Sequence, residues 1–269
     1  MRMMFDIHAH IHGTEFDANR NEIVNRAVEK NIGIITVGTD YEESARAVAC
    51  AEKYENVFAT VGIHPVDKIL SFEKDVLTAI ARHPKVVAIG ECGLDYYWPA
   101  HHEWIDGDIQ EKTRQKELFE RQIELAIELD LPLMIHGRPT KKSMDAYEDI
   151  LTILKKYKNI HDIKVRGNVH FFVGSLTIAE QFWGLGFTTS FTGVITFTHE
   201  YDEVVRTAPL SMLMAETDSP YATPVPYRGT KNEPVYVEKV YERIAEIRNV
   251  SVQDIIDILD HNRKRIFNV

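Results

Sequence analysis

Hydrophobic and polar positions along the chain alternate between two periods. Short apolar runs rich in β-branched residues are separated by longer charged stretches whose apolar positions recur three and four apart. The runs predict eight strands: FDIHAH at 5–10, GIITVG at 33–38, VFATVGIH at 57–64, VVAIGECG at 86–93, LPLMIHG at 131–137, GNVHFFVG at 167–174, FTTSFTGV at 187–194 and SMLMAETD at 211–218. The stretches between them predict helices at about 18–30, 42–54, 71–82, 111–129, 142–157 and 176–184, and two more follow the last strand at about 234–247 and 252–266. In the first helix Ile23, Val24, Ala27 and Val28 form the apolar face. Ser251 and Asp254 predict a capping box at the start of the last one.

Eight strands with intervening helices point to α/β architecture as a single (β/α)8 TIM barrel. The rival, a doubly wound open sheet, usually carries a glycine-rich loop after its first strand, and FDIHAHIHG has none. No linker, composition shift or internal repeat divides the sequence, so residues 1–269 are expected to form one domain.

Composition narrows the function. Two cysteines, Cys50 and Cys92, make neither a disulfide framework nor a zinc-binding pair. No apolar run approaches the roughly 20 residues of a membrane helix, and MRMMFDIHAH turns polar too early for a secretory signal, so a cytoplasmic protein with no membrane partner is expected. A formal charge of −10 argues against electrostatic coating of nucleic acid. It leaves room for an enzyme that grips a few phosphates through metal ions.

Twelve histidines change the picture, because several sit at predicted strand ends. His8 and His10 end the first strand, His64 the third, Glu91 the fourth and His136 the fifth; His170 lies in the sixth and Asp218 ends the eighth. In a barrel those ends share one mouth, where active sites are found. Singly, a strand-end histidine is an ordinary hydrogen bonder, and Glu91 or Asp218 an ordinary helix cap. Together they would leave a polar cluster without partners unless it holds metal. Imidazole with carboxylate suits Zn, Mn, Co or Fe, with Mg preferring more oxygen. Six ligands exceed one tetrahedral site and suit two divalent metal ions sharing a carboxylate.

The segments FDIHAH, VGIHP, VVAIGECGLDYY, LPLMIHGR, VHFFVG, GFTTSFTGVITF and ETDSPYATPVPYRGTKNEP span nearly the whole length. With them the chain resembles the TatD family of metal-dependent deoxyribonucleases, within the amidohydrolase-like barrels. The resemblance implies one metal held by His8, His10, Glu91 and Asp218, and a second by Glu91, His136 and His170. Glu91 stands where a modified lysine often bridges the metals in the wider superfamily. The resemblance also implies a phosphate contact from His64, phosphate positioning by Arg138, and an Asp95 that supports a ligand. A salt bridge within its loop is the other reading of Arg138. The chain departs from the family at Ile7, His12, Phe171 and Lys142, none of them a proposed ligand. His12 follows His10 by two residues, so the same alternation aims it near the site.

The function so implied is metal-dependent hydrolysis of phosphodiester bonds in DNA, with Glu91, Asp218 and His64 as the catalytic set. A concave mouth suits a frayed end, hence 3′–5′ exonuclease action on single-stranded DNA. Tyr96, Tyr97, Trp98 and Tyr221 either stack bases or pack the rim. His101 and His102, in the connection before the fourth helix, read as a solvated loop. One alternative keeps the site and attacks a carboxyl ester or amide, as in a D-aminoacyl-tRNA deacylase. A non-catalytic barrel scaffold is the other, and it predicts lost ligands. Oligomeric state is not legible from the sequence.

Overall fold

A computed structural model describes residues 2–69, 71–97 and 108–269. Eight parallel strands make one sheet in sequential order: β1 (Met4–Ala9), β2 (Ile32–Val37), β3 (Val57–Val61), β4 (Val86–Asp95), β5 (Leu133–Arg138), β6 (Gly167–Val169), β7 (Thr188–Phe191) and β8 (Leu213–Ala215). The helices are α1 (Arg20–Glu29), α2 (Tyr41–Ala51), α3 (Lys74–Ala81), α4 (Asp108–Leu129), α5 (Asp145–His161), α6 (Leu176–Gly184), α7 (Asp202–Thr207), α8 (Val237–Arg248) and α9 (Val252–Phe267). The sheet curls round on itself: Asp218 N–H donates to the His8 carbonyl at 2.9 Å, and His10 N–H to the Ser219 carbonyl at 2.8 Å. This is the TIM barrel that the pattern predicts.

Local chemistry sets the element ends. Asp40 caps α2 by accepting from Glu43 N–H at 2.7 Å, and Ser175 caps α6 through Ile178 N–H. The capping box of Ser251 and Asp254 is formed in both directions. The segment expected to be helical from 142 instead turns first, with Lys142 at φ +64° and Asp145 accepting from Thr140 N–H at 2.9 Å. Two short features were not anticipated, α7 and the 3-10 turns beside it. Val204 and Val205 alone are buried in α7, too few to set a period.

Apolar packing has two parts. The larger cluster fills the layer between strands and helices, where Val24, Ala47, Ile123, Ile150 and Ile244 are buried. A smaller one fills the lower barrel interior with Phe5, Ile7, Ile35, Val37, Val87, Met134 and Met214, closed by Ile266 and Phe267 at the end of α9. On the β6–β8 side buried polar residues stand beside the apolar ones: Asn168, Thr188, Ser190 and Glu216.

Two irregularities aim side chains at the mouth. The β1–β2 register shifts between Asp6 and Ala9, so Ile7 packs in the interior cluster while the adjacent His8 faces the site. Gly93 in β4 sits at φ +136°, where an added Cβ would stand 2.1 Å from the His136 carbonyl oxygen. Glycine there lets β4 lie against β5 and bring Glu91 to His136.

Candidate metal centre

Each of the seven strand-end residues reaches the mouth, and all except His8 line a cavity of about 620 Å³, with His8 buried behind it. Around His8 and His10 the spacing is ion-sized. Their Nε2 atoms face each other at 3.3 Å. Glu91 Oε2 stands 3.4 Å from His8 Nε2 and 3.9 Å from His10 Nε2, and Asp218 Oδ1 stands 3.6 and 3.5 Å from the same atoms. Ligand bonds of about 2.0–2.2 Å place tetrahedral neighbours about 3.3–3.6 Å apart. Two ring nitrogens facing each other can share one proton or one cation between them, so the donor set fits a divalent ion.

The second oxygen of Glu91 serves a second group. Oε1 lies 2.8 Å from His136 Nδ1 and 2.8 Å from His170 Nε2, which are 3.2 Å from each other. This trio is drawn to hydrogen-bonding distance, tighter than ion-sized spacing, and would open by a few tenths of an ångström around a metal. Burial raises the Glu91 carboxyl pKa, but the His170, His64 and His8 imidazoles outweigh it and hold the group well below its usual range. His170 is the mirror case: burial lowers it, while Glu91 and Glu216 raise it well above.

Supporting groups fix the ligands. Asp95 Oδ2 lies 3.1 Å from His136 Nε2, which leaves Nδ1 to face Glu91. His10 Nδ1 sits 2.9 Å from the Val37 carbonyl, so it is the donor and Nε2 keeps its lone pair. Asp6 is fully buried and ties β1 to the loop after β8, accepting from Thr217 N–H at 2.8 Å and Thr217 Oγ at 2.5 Å. From α4, Gln115 accepts from Asp95 N–H, while Gln122 both accepts from Ile63 N–H at 2.8 Å and donates to the Ile63 carbonyl at 2.9 Å. His64 Nδ1 accepts from Val66 N–H at 3.3 Å, so the neutral ring carries its proton on Nε2, 3.5 Å from Glu91 Oε1. Burial, with the His136 charge beside it, pushes His64 down to about 3.

Other sequence expectations fare differently. Arg138 is exposed at the mouth with its guanidinium 4.2 Å above the Tyr97 ring. Its side chain makes no ion pair among the described residues. Tyr221 is 60% exposed on the rim. Tyr96 does not belong to the mouth: it is buried, its hydroxyl 2.9 Å from Asp149 and its ring under Lys112. Successive side chains of an extended strand end point to opposite sides, and Tyr96 takes the helix-facing one. His12 is also redirected. The chain leaves β1 at Ala9, the alternation lapses, and His12 turns to Thr36 Oγ at 2.8 Å and Glu43 at 2.8 Å. Trp98, His101 and His102 lie outside the described residues.

Glu216 is the residue that sequence reasoning missed. It is fully buried beneath the centre. The signal was present, since Met214, Glu216 and Asp218 alternate along one side of the last strand and its continuation.

Known proteins give the same picture. A family model described as TatD related DNase matches residues 5–268. YabD of Bacillus subtilis, an uncharacterized metal-dependent hydrolase, is 40% identical, the alignment covering 99% of this chain and 100% of YabD. YcfH of Escherichia coli, described in the same words, is 30% identical over 99% of this chain and 96% of its own. The crystal structure of YjjV, a TatD homologue from Escherichia coli, superposes with a TM-score of 0.86 at 30% identity, covering 99% of this chain and 98% of that one. With the barrel, the polar mouth and these relatives agreeing along the whole length, the chain belongs to the TatD family of metal-dependent hydrolases.

Proposed function

We propose that the protein hydrolyses phosphodiester bonds at the ends of single-stranded DNA, as a 3′–5′ exonuclease dependent on two divalent ions. The observation that carries this reading is the division of Glu91: one oxygen faces His8 and His10, the other His136 and His170. A shared carboxylate between two imidazole groups suits a pair of ions, and paired ions suit in-line displacement at phosphorus. His8, His10, Glu91 and Asp218 would hold one ion; Glu91, His136 and His170 the other. When bound, such ions supply Lewis acidity and make water a better nucleophile at neutral pH.

The protein groups divide the remaining work. Asp218 accepts the proton of the attacking water: burial raises its carboxyl, but the His10 hydrogen bond and the His8 charge bring it below the usual range, so it is ionised and ready. His64 offers its Nε2–H to a phosphoryl oxygen, the only ring proton it has once Nδ1 accepts from Val66. Arg138 holds a second oxygen with its planar fork. Tyr221 and Tyr97 offer exposed rings to unstacked bases.

One observation favours a second reading. Glu15, Glu43 and Asp67 also line the cavity, where Arg138 is the single lysine or arginine among the described lining residues. That wall suits a substrate with an amine and one anionic group, as in D-aminoacyl-tRNA ester cleavage. Metal-loaded protein and Glu91→Gln should be assayed on a 5′-labelled single-stranded oligonucleotide and on a D-aminoacyl-tRNA. Stepwise loss of 3′ nucleotides, abolished in Glu91→Gln, is expected. Deacylation without release of nucleotides would replace the first reading by the second.

A further inference from the structure

We propose that Glu216 is a positioning residue that presets the tautomers of two ligands at once, His8 on one side of Glu91 and His170 on the other. This rests on the metal-centre reading above, but not on which bond is cleaved. The His8 and His170 rings stack with centroids 3.8 Å apart and planes 10° from parallel. The Nε2 atoms of both point at Glu91. Their Nδ1 atoms are therefore turned together, away from the mouth, and both are buried without a hydrogen-bond partner among the described residues. A histidine that ligates metal through one nitrogen nearly always donates from the other, to a carboxylate, a carbonyl or water.

The carboxylate that lies there is Glu216. Its Oε1 is 3.4 Å from His170 Nδ1, and one ring nitrogen from each histidine and a Glu216 oxygen lie within 4.8 Å of one another. An ionised carboxylate has about four acceptor sites. Two are already taken, by Phe171 N–H at 2.7 Å and Ser190 Oγ at 2.6 Å. Two remain for two ring donors that lack an acceptor.

The surroundings keep Glu216 an acceptor. Ser190 Oγ is itself given a proton by Asn168 Nδ2 at 2.7 Å, and Asn168 Oδ1 receives one from Thr188 at 2.9 Å. This chain of donors across β6 and β7 ends on Glu216. The Phe171 N–H bond also holds Phe171 at φ +46°, a backbone that a bulky residue adopts only under constraint. Imidazole in water prefers its proton on Nε2, the nitrogen needed for ligation here. A carboxylate facing Nδ1 reverses that preference before any ion arrives.

The test is Glu216→Gln in the full chain. Glutamine keeps one oxygen for Phe171 N–H and turns its amide to Ser190, but removes the charge and the spare acceptor sites. Zn²⁺ and Mn²⁺ affinities, measured by competition with a chelator, should fall about 10–100-fold for both ions. The melting temperature of the metal-stripped variant should stay near wild type. Unchanged affinities with a lowered melting temperature would leave Glu216 a purely structural residue and overturn the proposal. A third equivalent of metal in wild type, absent from the variant, would make it a ligand and overturn it equally. Should Glu216→Gln not fold, histidine ¹⁵N shifts of metal-stripped wild type at about pH 8 decide: a protonated Nδ1 on both rings supports the proposal, and a bare Nδ1 on either ring refutes it. Wild type that takes up no ion would instead fail the metal-centre reading, separately from Glu216.

Discussion

Replacing Gln122 with glutamate exchanges one amide nitrogen for oxygen, at a fully buried position that grips Ile63 from α4. Oε1 can still accept from Ile63 N–H, as it does now at 2.8 Å. The second oxygen then faces the Ile63 carbonyl, which glutamine satisfies by donating at 2.9 Å. That contact holds only if the carboxyl is protonated, so the folded state raises its pKa above the unfolded value of about 4.3. The unfolded chain ionises first, and stability relative to wild type falls as pH rises through that value. Keeping the proton costs at most about 3.7 kcal/mol at pH 7, and about 0.6 kcal/mol at pH 4.5. An unfolding entropy of about 2.1 cal/mol/K per residue, over 269 residues, gives roughly 0.56 kcal/mol/K. Gln122→Glu should therefore melt about 7 °C below wild type at pH 7 and about 1 °C below at pH 4.5. Calorimetry of both proteins across that range reads the difference. A gap that does not change with pH would refute the claim that a donor to the Ile63 carbonyl is required. Because His64 follows Ile63 directly, the same variant should lose activity at pH 7.

Other expectations test the centre from different sides. Glu91→Gln should lose both ions together, so elemental analysis after dialysis should find neither retained; one retained equivalent would show that the two groups do not share the carboxylate. Asp6→Ala strands two buried N–H donors, of Thr217 and His8, and should cost about 2–4 kcal/mol in chemical denaturation. Arg138→Ala should raise KM for an anionic substrate about tenfold with little change in kcat, and lysine should restore it poorly, since the guanidinium lies over the Tyr97 ring and its planar fork is lost; an unchanged KM would remove Arg138 from binding. Asp67, raised to about 6 by burial and by the Asp40 and Glu91 charges, penalises folding increasingly between its ordinary pKa and that value. Asp67→Asn should thus raise the melting temperature above about pH 6, with the gain fading toward pH 4.

Much of this was legible in the residues. The apolar runs marked every strand because a parallel barrel buries both faces, leaving little polar interruption. Glu91, His136 and Asp218 stood out because each closes such a run with a polar group. What escaped depended on neighbours distant in sequence. His12 follows the alternation on paper, yet the strand ends at Ala9 and the side chain answers to Thr36 and Glu43. Tyr96 looked like a rim aromatic until α5 supplied Asp149 for its hydroxyl. Nothing local to Gln122 in α4 says that it lies against the backbone of Ile63. Glu216 was hidden by its neighbour Asp218, the more obvious end of the same run.

The divided lining of the barrel has a consequence for how this enzyme can evolve. The apolar wall of Phe5, Ile35, Val37, Val87 and Met134 is governed by volume, and size-conserving exchanges there usually cost less than about 1.5 kcal/mol. On the facing wall, Thr188, Asn168, Ser190 and Glu216 form a directed series in which each donor has a designated acceptor. An exchange there survives only if it keeps the donor or acceptor at its place in the series, which few residue types can do. Drift should accumulate on one wall and stall on the other, and a library randomised across both would return survivors varied at Val37 or Val87 and nearly uniform at Asn168 and Ser190.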